Sequence, residues 1–232
     1  MVEPGPLVGN GRAADVYDVG AGRVLRRYRR PPPPGTTERE AVVMDHVRRH
    51  GYPVPAVFDA AGSDLVMERL EGRTMLDDLE AHPWRLDRYA DLWAALHRRL
   101  RAVPVGDLAE HGVPVRFGPP EAVVHLDFHP DNIMLTAHGP VVFDWTNAAL
   151  APAAADVADA WIVSASATAD GSWWMRAIVR VGRKRLVDRF VDGCGRAEAA
   201  ALLPVVAERR LADRNLRPDE VERVRALVAA NS

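Results

Sequence analysis

Over residues 6–28 apolar and polar positions alternate with a period of two. Leu7 and Val8, DVYDV at 15–19, a Gly20-Ala21-Gly22 turn and RVLRRY at 23–28 predict a small antiparallel sheet. The four prolines at 31–34 end this pattern and act as a stiff connector. Apolar residues then move to helical spacing through Val42, Val43 and Val47, with Thr36 or Thr37 as a cap, Glu38 and Glu40 in the first turns and Gly51 as a stop. After Pro53 and Pro55, AVFDA and DLVMERL predict two further strands about a Gly62-Ser63 turn, and Glu71-Gly72 follows as a hinge. From there the period is helical. TMLDDLEAH at 74–82 predicts a short helix, and 84–103 a long one whose stripe of Tyr89, Leu92, Trp93, Leu96, Leu100 and Val103 faces a core. Pro104, Pro114, Pro119 and Pro120 mark 104–120 as loop, and of two apolar runs AVVHL comes before the polar residues of 127–144 and VVF between them. Helices are predicted at 153–168, 172–192, 196–213 and 218–230, the last with Pro218 at its start and Asp219 and Glu220 in its first turn.

Bulk composition narrows the class. With 232 residues, 48% of them hydrophobic, the chain is globular and long enough for one large domain or two small lobes. Charged residues nearly cancel, to a formal net charge of -2, so no global field favours nucleic acid or a membrane surface. The lone Cys194 excludes an internal disulfide and a thiolate zinc cluster. MVEPGPLVGNGR has no basic start followed by an apolar run, and no segment reaches the ~18 uncharged apolar residues of a spanning helix. The expectation is a soluble, unexported, cytoplasmic protein.

The chemistry is concentrated in HLDFHPDNIMLTAHGPVVFDW at 125–145. Asp127, Asn132 and Asp144 are a carboxylate, an amide and a second carboxylate, and a hairpin over 133–143 would return the chain so that all three converge. Phosphoryl transfer from a nucleotide needs such a set: one carboxylate to orient a hydroxyl and accept its proton, and an amide and a carboxylate to hold magnesium against phosphates. Taken singly each has an ordinary account, since Asp and Asn form turns and follow strands. His125, Asp127 and His129 also admit a metallohydrolase reading, but no further histidine pair completes it. His125 is expected to brace the loop, and His129 either to do the same or to lie near substrate.

HLDFHPDN resembles the HGDxHxxN catalytic loop, and VVFDW the IDW metal-binding segment, of the aminoglycoside phosphotransferase and choline kinase family, small-molecule relatives of the protein kinases. The resemblance spans roughly 5–165. It implies an α+β, bilobal, protein-kinase-like fold, with an N-terminal nucleotide-binding lobe at 1–71 and a catalytic and substrate-binding lobe at 72–232. It implies ATP as donor, Mg2+ as cofactor, a small-molecule hydroxyl as acceptor, Asp127 as catalytic base and Asn132 and Asp144 as metal ligands. It also gives meaning to weaker signals. The run from Gly9 through Gly11 to Val16 follows a GxGxxGxV spacing with Ala14 at the third glycine; by itself a hairpin turn would explain it, whereas the resemblance makes it a phosphate-covering loop. Glu40, or alternatively Glu38, becomes the helix partner of an ion pair, and Met67, Glu68 and Leu70 the hinge against the adenine.

Two departures stand out. Where the family places a lysine, this chain has Arg26, which keeps the charge but is bulkier and forks differently. Leu126 stands where a glycine is usual. A nucleotide-binding pseudokinase is therefore the second reading, with Arg26 as its support. Residues 172–225 hold 13 Lys and Arg against 8 Asp and Glu, which disfavours a polycationic acceptor such as an aminoglycoside; neutral or anionic acceptors such as a sugar, a nucleoside or a different antibiotic fit at least as well. Trp161, Trp173 and Trp174 are expected to pack helices, the last two alternatively stacking on substrate.

Overall fold

The computed structural model describes residues 2–11, 13–166, 173–212 and 216–231, with the side chains of 173–180 outside the description. Strands β1 (Leu7–Asn10), β2 (Ala14–Gly20) and β3 (Arg23–Tyr28) lie where the alternation predicts them. With β4 (Val57–Ala61) and β5 (Asp64–Glu68) they form an antiparallel sheet in the order β1-β2-β3-β5-β4. The β3 strand is therefore central, and Arg26 is paired with Val16 on one side and Leu65 on the other.

Helix α1 (Thr36–Arg49) packs on β4 and β5 and buries Glu40, Val43, Met44, His46 and Val47. Neither threonine caps it. Gly35 is the N-cap, in left-handed backbone, so the chain has already turned into the helix when Thr36 is reached. The Thr36 hydroxyl donates instead to the Pro33 carbonyl and that of Thr37 to the Gly62 carbonyl, each at 2.7 Å.

The rest is mainly helical. Short α2 (Met75–Ala81) precedes a 3-10 turn at Pro83–Arg85, and α3 (Leu86–Arg101) begins only after it, two residues later than the periodicity suggests. Tyr89, Trp93, Leu96, Leu100 and Val103 of the apolar stripe are buried, Leu92 half-buried. Helices α4 (Ala153–Ser166), α5 (Trp173–Cys194), α6 (Arg196–Leu211) and α7 (Pro218–Ala230) follow the predicted order. Trp93 stacks on Phe190 of α5 with ring centroids 3.7 Å apart. His97 is buried at the same contact, its Nε2 3.3 Å from the Ala153 carbonyl. Trp161 is buried in α4, whereas the side chains of Trp173 and Trp174 lie outside the described residues.

Two small sheets complete the fold, each containing a strand that the sequence reading passed over. β7 (Ala122–Val124) pairs antiparallel with β10 (Ala149–Ala151), and β8 (Ile133–Thr136) pairs with β9 (Gly139–Val142) and with the two-residue β6 (Arg73–Thr74). Gly72, at φ 157°, enters β6 so close to β8 that a Cβ there would lie 2.2 Å from the Leu135 carbonyl oxygen. The predicted hinge glycine thus answers to a steric need. One apolar cluster runs from Val43 of α1 through α3 and β7 to Val224 of α7. Among the described residues no helix is long and apolar enough to cross a membrane.

Candidate functional site

Nested pairing draws the chemical residues of 125–145 together. The β7–β10 ladder closes the stem at 122–124 and 149–151, and the β8–β9 hairpin folds the middle back on itself. Between them, Phe143 N–H donates to the Asn132 carbonyl at 3.1 Å, and the buried His125 ring lies 3.0 Å, through Nε2, from the Phe143 carbonyl. The segments holding Asp127, Asn132 and Asp144 are thereby tied across two residues. Next to them Trp145 is fully buried, donating to the Val142 carbonyl at 3.0 Å and meeting Tyr52 edge-on, which anchors the chain where Asp144 emerges.

Arg26 extends this cluster into the sheet. Its Nη2 bonds Glu40 of α1, while Nη1 reaches Asp144 Oδ1 at 2.9 Å and Thr146 Oγ1 at 3.0 Å. Burial opposes its charge, but Glu40 and Asp144 outweigh that and hold the guanidinium above its usual value. Glu38 is not the partner: it is exposed and accepts from Gly62 N at 2.9 Å. A lysine ammonium is a single point, whereas the guanidinium fork spans Glu40 and Asp144 at once.

Asp127 is enclosed from another direction. Arg210, in the last turn of α6, donates through Nη2 to Asp127 Oδ1 at 2.7 Å and to Asp159 Oδ2 at 3.1 Å. Burial tends to raise the Asp127 carboxyl, yet the adjacent His129 ring and the Arg210 guanidinium prevail and keep it well below the usual carboxylate range. Asn132 is buried, its amide nitrogen 2.9 Å from the Asp127 carbonyl oxygen and 3.3 Å from His129 Nε2. With the nitrogen so engaged, its oxygen remains as a donor atom for a cation. The Asp144 side chain is 46% exposed and has one oxygen on Arg26. Carboxylate and amide oxygens suit a hard cation such as magnesium, which takes few protein ligands and completes its shell with phosphate and water. Among the described residues, no group of three or more His, Cys, Asp or Glu is placed to hold a metal.

The reading from sequence missed Arg210, Asp159 and Asp156. Asp156 Oδ1 accepts from both His125 N at 3.1 Å and Leu126 N at 2.7 Å, so it grips the loop by its backbone. Asp156 and Asp159 are fully buried on α4, three residues apart and so on one helix face. That spacing on an otherwise apolar helix is the signal that could have found them.

The remaining expected residues lie on β1 and β5 of the sheet and in the segments that follow them. Gly9 lies within β1 and Gly11 opens the β1–β2 connection, whose Arg12 lies outside the described residues. Neither has positive φ, and a Cβ would meet its nearest neighbour at 3.7 Å and 3.5 Å, an ordinary contact. The turn itself therefore does not require glycine. Met67 pairs with Val24 of β3, and Glu68 ends β5 with its carboxylate accepting from Ala56 N at 3.1 Å; half-buried Leu70 follows.

No curated protein sequence matches this chain. Solved structures do. A choline/ethanolamine kinase family protein from Mesorhizobium loti aligns over 98% of this chain and 88% of its own, with a TM-score of 0.57 at 16% identity. The ternary complex of the aminoglycoside phosphotransferase APH(4)-Ia with AMP-PNP and hygromycin B aligns over 97% and 92%, with a TM-score of 0.63 at 16% identity. An ethanolamine kinase from Plasmodium vivax aligns over 97% and 81%, with a TM-score of 0.58 at 10% identity. At such identities the likeness is one of fold, and it agrees with the α+β arrangement of antiparallel sheet and helices described above. The Phosphotransferase enzyme family matches over residues 6–116 and 106–202, and the chain belongs to that family.

Proposed function

We propose that this small-molecule kinase transfers the terminal phosphoryl group of ATP to a hydroxyl of its acceptor, with Asp127 as base and Asn132 and Asp144 as ligands of magnesium. The observation that carries the reading is the tying of these three residues into one cluster that Arg26 joins to Glu40 and the sheet. In this reading residues 1–71 bind the nucleotide, Gly9 and Gly11 letting the backbone approach phosphate and Met67, Glu68 and Leu70 bordering the base. The two glycines that the turn does not need support a ligand-based reason for them. APH(4)-Ia, of the same fold, holds an ATP analogue and a small molecule together.

The chemistry follows from the groups present. As the acceptor oxygen forms its bond to phosphorus, the bond from phosphorus to the bridging oxygen of the leaving ADP breaks, and the acceptor proton passes to Asp127. Asn132 holds Asp127 through its backbone carbonyl, and Arg26 fixes Asp144. Asn132 and Asp144 would hold magnesium, which would supply positive charge to offset that of the transferring phosphate. The pseudokinase reading rested on Arg26, but Lys184 is the only lysine among 30 Lys and Arg residues, so arginine at this position follows the habit of the whole chain.

A sugar, a nucleoside or an antibiotic-like molecule remains the proposed acceptor. The basic excess of the C-terminal helices is in part consumed internally: Arg185 and Arg189 of α5 pair with Asp87 and Asp91 of α3. ATP consumption over a panel of small hydroxyl compounds tests the function. Wild type is expected to turn over at least one acceptor, and Asp127→Ala to lose about 10²–10⁴-fold in kcat while still binding ATP. Equal turnover by the two proteins would remove Asp127 from its role. Arg26→Lys is expected to lower activity; a strong rise would mark the arginine as a lesion.

A further inference from the structure

Resting on Asp127 as base, the contacts of Arg210 define a role outside the loop. Of the two Asp127 oxygens, Oδ1 is taken by Arg210 at 2.7 Å, with the His129 ring 3.7 Å away. Oδ2 faces the Asn132 amide at 3.4 Å, on the side of the proposed cation and phosphates. Arg210 is itself held: the same nitrogen bonds the buried Asp159 Oδ2, and α6 packs along α4. Its neighbour Arg209 lies 3.6 Å from Asp159 Oδ1 and donates to Asn147 Oδ1 at 2.9 Å, which ties the end of α6 to the segment beyond Asp144. Two grips thus run from α4 to one loop, Asp156 on its backbone and Asp159, through Arg210, on its aspartate side chain.

We propose that Arg210 is a positioning residue: anchored by Asp159, it holds Oδ1 of Asp127 so that Oδ2 alone is presented to the acceptor hydroxyl. A carboxylate turns easily about its last bond, and an unrestrained base spends much of its time misdirected. A charge-assisted bond from a guanidinium nitrogen that is itself held by the buried Asp159 removes that freedom. The clamp comes from α6, so the base is set by a helix of the acceptor-binding part and not by the nucleotide.

Arg210→Met is expected to lower kcat on the order of 10²-fold while leaving KM for ATP unchanged. Arg210→Lys should recover part of the loss, because an ammonium keeps the charge and can donate to Asp127, but on a flexible stem it lacks the planar guanidinium's fixed geometry. Crystal structures of both variants, without acceptor, should show Asp127 in more than one side-chain orientation in Arg210→Met and in a single one in wild type. Wild-type kcat in Arg210→Met, or Asp127 held unchanged in its absence, overturns the proposal. Should Arg210→Met fail to fold, the lysine variant decides, a fully wild-type kcat with unmoved Asp127 counting against it. Where no compound of the panel is turned over, the crystal structures decide alone. Asp127→Asn separates the two levels: if it retains turnover, the base assignment fails, whereas its loss beside an unaffected Arg210→Met defeats only the clamp.

Discussion

At the residue scale, Leu126 and Asp144 both carry left-handed backbone, at φ 54° and 63°, where a side chain is disfavoured. For Leu126 the N–H donates to Asp156 while the side chain is fully buried in the core cluster. Glycine would fit the backbone better, relieving about 1–2 kcal/mol of left-handed strain. It would also empty the leucine's site, a loss of roughly 2–5 kcal/mol. The second effect is the larger across most of these ranges, so Leu126→Gly is expected to destabilise by up to about 4 kcal/mol, read from urea unfolding. A more stable glycine variant would mean that the strain, and not the packing, dominates at this position. The leucine that departs from the family's pattern is thus retained by the core rather than by the chemistry.

At the element scale, α4 carries the cost of organising the loop. Asp156 is fully buried, and burial lifts its carboxyl to about 7 even though two backbone amides favour the charged form. The ordinary value for an unfolded aspartate is about 4, so the folded state holds this proton more tightly. Stability from that source is present in full below the unfolded value and is lost as pH rises from about 4 through about 7. Asp159, lifted by burial to about 6, acts in the same direction. Asp156→Asn can accept the same two amide bonds through its oxygen and does not ionise. Its melting temperature relative to wild type should therefore shift in the variant's favour between pH 5 and pH 8. A difference that stays constant with pH would show that Asp156 does not ionise in this range. The helix-scale lesson is that one face of α4 trades stability near neutrality for a fixed loop.

At the scale of the molecule, binding and folding are linked. A ligand that binds only the folded chain stabilises it by about 2.7 kcal/mol at 100 times its Kd. For a chain of this size that is a rise of several degrees, at about 2–4 °C per kcal/mol. AMP-PNP with magnesium is expected to raise the melting temperature of wild type beyond AMP-PNP alone, and Asp144→Asn to lose the part that magnesium adds. Equal magnesium increments in the two proteins would take Asp144 out of the proposed metal site. The same measurement applies at the whole-molecule level because the site joins both parts: Glu40 comes from α1, Arg26 from β3, Asp144 from beyond β9 and Arg210 from α6.

The sequence by itself determined the local elements and the chemical repertoire. A period of two placed β2 and β3, a helical period placed α3 with its buried stripe, and the spacing of Asp127, Asn132 and Asp144 marked the loop, because these signals lie between residues a few positions apart. It did not reach β6 and β10, whose two or three residues hold too little pattern and exist only through partners about 60 and 25 positions away in the chain. Nor did it reach the partner of Asp127. Arg210 lies 83 residues downstream in an arginine-rich chain, and nothing in its neighbours separates it from the other arginines. Tertiary packing made that choice: with α6 laid on α4, the Arg210 guanidinium meets the fully buried Asp159 and the half-buried Asp127 at the base of the loop, where an unpaired buried charge would be costly.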